Sequence, residues 1–293
     1  DFLYHLGQET TVGGNSRLLL ADGRISWAGP RDDAVRPTGP FDPELPVLAF
    51  RDNGGGLRAL IYNHSTHTMG TRLGRVRSPS FYGLAAQELE DELGGVVSFL
   101  EGASGSTHNI TRVPTAEAVV RMKDAIRKAL EAATLRPVDR LLSIKRSFTF
   151  RVRRFDEALA NEKVASYCKK RIPSQAEVTI EVFRKMRVGL APRQGEMRQT
   201  WLQVLLIGDV AIVGVPAEYF TVLGIDIKKR SPFPDTLIAE LANDWIGYLP
   251  DREAHELGGY QTWMGLHSYA EIGTGERIAD EIVAMLNELK IHQ

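Results

Sequence analysis

Short apolar, β-prone runs alternate along this chain with segments of helical periodicity, and that alternation constrains the fold more than any other feature. Residues 45–50 and 57–62 are strand candidates separated by the turn signal DNGGG at 52–56. Residues 78–93 then repeat apolar side chains at helical spacing. The run VVSFL at 96–100 breaks off into GASGSTHN, and residues 115–133 place Val119, Met122, Ile126 and Leu130 on one stripe. Residues 141–155 alternate like a strand with one solvated face, and 156–187 are charged and helical apart from Pro173. TWLQVLLIGDVAIVGVPAEYF follows, two apolar strands hinged at Gly208-Asp209, then a helix near 219–229 and a strand near 237–241. An amphipathic helix at 276–289 closes the chain. The pattern predicts an α/β fold with a mixed, largely parallel sheet flanked by helices, in one domain over residues 1–293.

Charge narrows the partners. Lys and Arg (36) nearly balance Asp and Glu (37), so no net field draws the chain to nucleic acid or anionic membrane. No apolar run approaches the roughly 18 residues of a transmembrane helix. The single cysteine, Cys168, excludes an internal disulfide and a Cys-paired zinc site. Compartment is left open by these features, as is assembly into a homo-oligomer.

Four loops that follow apolar runs carry the chemistry-bearing groups. They hold His64 and His67 in NHSTH, His108 in GASGSTHN, Glu218 after VGVP, and Tyr248 with Tyr260 in NDWIGYLPDREAHELGGYQTW. In α/β folds, sites gather beyond the carboxyl ends of strands. Glu218 stands in apolar context, where a carboxylate needs a cation or donors, and a metal ion would serve. NHSTH is not the HExxH of a helical zinc site. GASGSTHN lacks the Lys of a P-loop and the GxGxxG spacing of a dinucleotide loop. It misses the GxSxG nucleophile elbow by one place, which makes Ser104 and Ser106 weak nucleophile candidates.

In order and in context, these loops resemble the neutral/alkaline (non-lysosomal) ceramidase family, in its zinc-bearing catalytic domain. The likeness runs from about residue 10 and rests on GPFDPELPVLAF, RALIYNHSTHTMG, FLEGASGSTHN, VGVPAEYFT and ANDWIGYLPDREAHELGGY. The resemblance implies zinc as cofactor, with His64 at the family's HPT ligand histidine, Glu218 at its VPGE glutamate and Tyr248 at its ligand tyrosine. It places a further active-site tyrosine on Tyr260 and leaves His67 a supporting or substrate-facing group. The family's second ligand histidine lies in a THTHS-like stretch that this chain does not contain, and His5 has the wrong context for it. An N-terminal fragment of the same precursor, as a second chain, is therefore expected to supply that ligand.

Two further positions depart from the family. The GDxSP serine is replaced by His108, an imidazole suited to moving protons near neutral pH. The family arginine falls on Ser16, with Arg17 beside it as a candidate to stabilise an oxyanion. The implied reaction is hydrolysis of an amide or related acyl bond in a small-molecule substrate, with His108, Tyr260, His67 and Arg17 around the reacting carbonyl. Two alternatives stay open: metal-dependent lyase or isomerase chemistry on a carbohydrate-type substrate, and a non-catalytic binding module.

Overall fold

The computed structural model describes residues 1–74, 76–110 and 112–291. Strands β1 (Phe2–Gln8), β2 (Glu44–Arg51), β3 (Leu57–His64), β4 (Val96–Glu101) and β5 (Thr134–Arg136) form one sheet in the order β4-β3-β2-β1-β5. A second sheet runs β6-β7-β8-β9, from strands β6 (Leu141–Arg151), β7 (Met197–Ile207), β8 (Val210–Gly214) and β9 (Asp235–Ala239). Helices α1 (Ser80–Leu93) and α2 (Thr115–Ala132) cover the first sheet. Helix α3 (Glu157–Arg171) pairs with α4 (Ala176–Leu190); α5 (Thr221–Arg230) precedes β9, the short α6 (Arg252–Leu257) lies in the late loop, and α7 (Thr274–Ile291) packs on β6 and β7.

Period-two alternation assigns each strand residue to a layer. On β2, Leu45 and Val47 face the α1/α2 layer, and Leu48 faces the other sheet. On β8, Val210 and Ile212 face the first sheet, whereas Ala211 and Val213 join the core beneath α5 and α7. The two sheets thus meet face to face through Phe2, Tyr4, Leu48, Val210, Ile212, Leu237 and Ala239. The layers are helix, sheet, sheet, helix.

The expected mixed α/β class holds, but the largely parallel pairing needs correction. Only β3/β4 and β8/β9 run parallel in the main sheets; the other neighbours are antiparallel. The alternation of apolar runs with helical segments suggests parallel strands covered by helices on both faces. Here both faces are buried because a second sheet lies on one side and helices on the other. The hairpins explain the antiparallel majority. Asp52 accepts hydrogen bonds from the Gly54 and Gly56 amides, both at 2.9 Å, to close the β2–β3 turn. Gly208 turns β7 into β8 at φ +61°, where a Cβ would stand 2.3 Å from the Pro137 carbonyl oxygen.

The two parallel pairs position the site. Their carboxyl ends converge: the Glu240 amide just past β9 donates to the Glu101 carbonyl at the end of β4 (2.9 Å). No helix among the described residues is long and apolar enough to cross a membrane.

Leu48 is wholly buried between the sheets. Leu48→Ala is expected to lower unfolding free energy by about 2–5 kcal/mol, while Ala at exposed Leu135 changes it by less than about 0.5 kcal/mol. Urea titration of both variants checks this.

Candidate functional site

The two histidines at and just past the end of β3 face opposite ways. Tyr62 and His64 share the helix-side face of β3, and His64 is fully buried. Its Nε2–H donates to the Glu9 carbonyl (3.1 Å), which leaves Nδ1 to accept from the Tyr82 hydroxyl (2.5 Å). Burial lowers the His64 pKa, in keeping with that neutral tautomer. Both ring nitrogens are therefore committed to protein partners, and His64 does not reach Glu218 or Tyr248.

His67 does reach them. Past the strand end the chain curls back, and the His67 Nε2 lies 3.1 Å from Glu218 Oε2 and 3.0 Å from the Tyr248 hydroxyl. Nδ1 donates to the Ser104 carbonyl (2.9 Å). Burial would depress the His67 pKa, but the Glu218 hydrogen bond and the charges of Glu240 and Glu101 outweigh it and push the value up to about 9. Glu218 shifts the other way: burial raises its pKa, yet bonds from His67 and Tyr248 and the Trp245 indole N–H (3.1 Å to Oε1) bring it below the usual range. Glu218 and Tyr248 themselves are register partners in a short parallel bridge.

Behind His67 lies a second acidic group that the sequence reading missed. Ser104 Oγ lies 2.9 Å from Glu101 Oε1 and 2.6 Å from Glu240 Oε1. Glu240 Oε2 accepts from the Ser104 and Tyr219 amides at 3.0 and 2.8 Å. One hydroxyl proton serves one carboxylate, so the other needs a proton or a cation of its own; burial raises the pKa of both. Ligand-type atoms of His67, Glu101 and Glu240 lie within 4.8 Å of one another, a group able to hold a metal ion. A sequence signal existed: each glutamate is the first charged residue after an apolar strand. As nucleophiles, Ser104 and Ser106 are poorly placed. Both are buried, and Ser106 Oγ donates to Thr221 Oγ1 (3.1 Å).

The remaining predicted residues divide. His108 stacks on His67 with ring centroids 5.0 Å apart. Burial and the positive charges of His67 and Arg31 lower its pKa to about 4, so it is neutral at pH 7. Tyr260 stacks on Trp27 at 4.7 Å and sets its ring edge toward Tyr248 at 5.6 Å. His67, His108, Tyr248, Tyr260, Trp27 and Arg31 line one cavity of about 360 Å³. Larger clefts of about 520 and 800 Å³ hold none of His67, Glu101, Glu218 and Glu240, and one of about 430 Å³ holds Glu101 and Glu240 without a histidine, so chemistry rather than size singles out this one. Arg17 lies outside this cavity. It is buried, with Nη1 donating to Gln261 Oε1 (2.9 Å) and Nη2 to the Ala254 and Gly258 carbonyls (3.2 and 2.6 Å). It clamps the loop that carries Tyr260 and offers nothing to an oxyanion.

No protein-family model matches this chain, and no curated protein matches it in sequence. Among solved structures it is similar to the neutral ceramidase from Pseudomonas aeruginosa, with a TM-score of 0.67 and 18% identity over 99% of this chain and 52% of that one. A ceramidase complexed with C2 gives a TM-score of 0.67 and 17% identity, over 99% of this chain and 54% of that one. At such identity the likeness establishes a ceramidase-like fold, and the chain spans about half the length of these neighbours.

His64→Ala strips the Tyr82 hydroxyl and the Glu9 carbonyl of their partner. Each orphaned group costs about 1–3 kcal/mol, so the variant should unfold at clearly lower denaturant, which circular dichroism during titration would detect.

Proposed function

We propose that this chain is a zinc-dependent hydrolase cleaving an amide or related acyl bond, with His67, Glu218 and Tyr248 as ligands. The observation that carries the reading is the convergence of three donor atoms, with His67 Nε2 3.1 Å from Glu218 Oε2 and 3.0 Å from the Tyr248 oxygen, at a cavity wall. Donors around one tetrahedral zinc at its usual bond lengths stand about 3.3 Å apart, so this group accommodates the ion with little movement. His67 thus takes the place that the sequence resemblance gave to His64. On the other face of His67, the carboxylates of Glu101 and Glu240 already accept hydrogen bonds from Ser104 and backbone amides. A catalytic zinc keeps an open position beside its protein ligands. The histidine expected from a preceding segment of the precursor belongs to the proposal as an added ligand, with residues 1–293 forming one catalytic unit.

When bound, zinc polarises a carbonyl and makes water more acidic. The chain's own groups do the rest. Neutral His108 accepts a proton from water in the cavity and returns it to the leaving nitrogen, a return that the positive charges of His67 and Arg31 favour. Tyr260 is positioned to donate its hydroxyl proton in a hydrogen bond to the oxyanion. Ser104, with Glu240 behind it, fixes the ring orientation of His67.

Metal analysis of purified protein tests the ligand set. His67→Ala and Glu218→Gln should each lose zinc and turnover, whereas His64→Ala should keep its zinc. Full zinc occupancy in His67→Ala would sink the assignment. His108→Ala should retain zinc and lose about 10²–10⁴-fold in kcat; Tyr260→Phe should lose up to about 10²–10³-fold.

A further inference from the structure

Arg31 lies in the loop before the short strand Ala34–Pro37, half-buried, and lines the same cavity as His67 and His108. Its guanidinium makes one hydrogen bond among the described residues, from Nη2 to the Ile110 carbonyl (2.7 Å), out of five N–H donors. No carboxylate among the described residues pairs with it. Nearby Asp33 is taken by Arg171, at 2.6 Å. A charged guanidinium facing a cavity without a counter-ion is electrostatically incomplete, and a planar two-donor edge matches a carboxylate.

The walls around Arg31 are polar. Ser16, Ser26, Asn109 and Gln261 line the same cavity, with Trp27 and Tyr260 supplying flat aromatic surface. At about 360 Å³ the space lies near the small end of ligand pockets, which run from about 300 to 1,000 Å³. It offers neither the length nor the apolar lining for two long hydrocarbon chains.

We infer that the substrate is a compact acyl compound bearing a carboxylate, held by Arg31 at one end of the cavity with its acyl bond at the His67–Glu218–Tyr248 end. This rests on the hydrolase reading for the location of the bond, while the carboxylate site stands on Arg31 and the cavity alone. The substrate class therefore differs from the neutral, lipid-like one the fold suggests. Arg31 is a specificity-determining residue that touches substrate away from the reacting carbonyl.

The test compares two ligands of the same shape, N-benzoylglycine and its carboxamide, binding to the zinc-loaded chain by calorimetry. Wild type should bind the carboxylate about 10- to 100-fold more tightly than the amide. Arg31→Met should erase that preference and leave amide binding unchanged. Arg31→Lys, which keeps the charge without the fork, should retain part of it. Equal binding of both ligands by wild type, binding of neither, or a preference that survives Arg31→Met overturns the inference. Hydrolysis assayed in parallel keeps the two readings apart. A carboxylate preference without turnover counts against the hydrolase reading alone, and turnover without the preference counts against the carboxylate site alone.

Discussion

The side-chain amide of Asn63 joins the two sheets at the place where all the chemistry collects. Its Nδ2 donates to the Leu100 carbonyl of β4 (2.7 Å) and to the Ile238 carbonyl of β9 (2.8 Å). Asn63 is itself buried, so each of these bonds is made where water cannot replace it. Between them they lock the carboxyl ends of β3, β4 and β9 into one junction. Face-to-face apolar packing alone would allow the sheets to slide; directional bonds from a neutral amide fix their register. The loops that leave this junction carry His67, Glu101 and Glu240, and their relative positions follow from it.

Holding three glutamates and a histidine together has an electrostatic cost, and the backbone absorbs much of it. Glu240 would be intolerable as an unpaired buried anion. Two amide donors and the Ser104 hydroxyl solvate it, and His67 supplies a positive charge in front. The far wall is held differently. Arg17 grips the backbone carbonyls of Ala254 and Gly258, and Tyr260 is packed among Trp27, Phe183, Trp263 and His267. A phenol wedged among rings has few rotamers to lose on binding, which is the form of preorganisation an active site needs.

Much of the fold was legible because its signals are local. The DNGGG turn, the helix periods and the loops behind apolar runs all appear where the residues placed them, and Glu218 and Tyr248 do share one site. What failed to read were relations between elements. Whether VAIVG is buried by helices on both faces or by a second sheet on one is not written in its own residues. Arg17 stood beside the position expected for an arginine, yet its direction is set by the 254–261 loop, some 240 residues away in sequence. Glu101 and Glu240 looked like ordinary strand ends until the second sheet brought them together.

The contrast between His64 and His67 shows how a strand end sorts two like residues. Alternation along β3 sends Leu60 and Tyr62 into the helix layer, and His64 follows them. A residue inside the strand's period cannot turn toward the other sheet, whatever its chemistry. His67 lies beyond the strand, where the chain is free to bend back over the carboxyl ends. The two rings then differ only in what surrounds them. His64 meets a carbonyl and a phenol and is held neutral; His67 meets three carboxylates and is held charged. Environments that drive like groups apart in pKa are a mark of sites built for proton or metal chemistry. The ligand set proposed for zinc takes the histidine whose nitrogens face acidic groups at a cavity wall, and strand periodicity, read before motif spacing, points to the same residue.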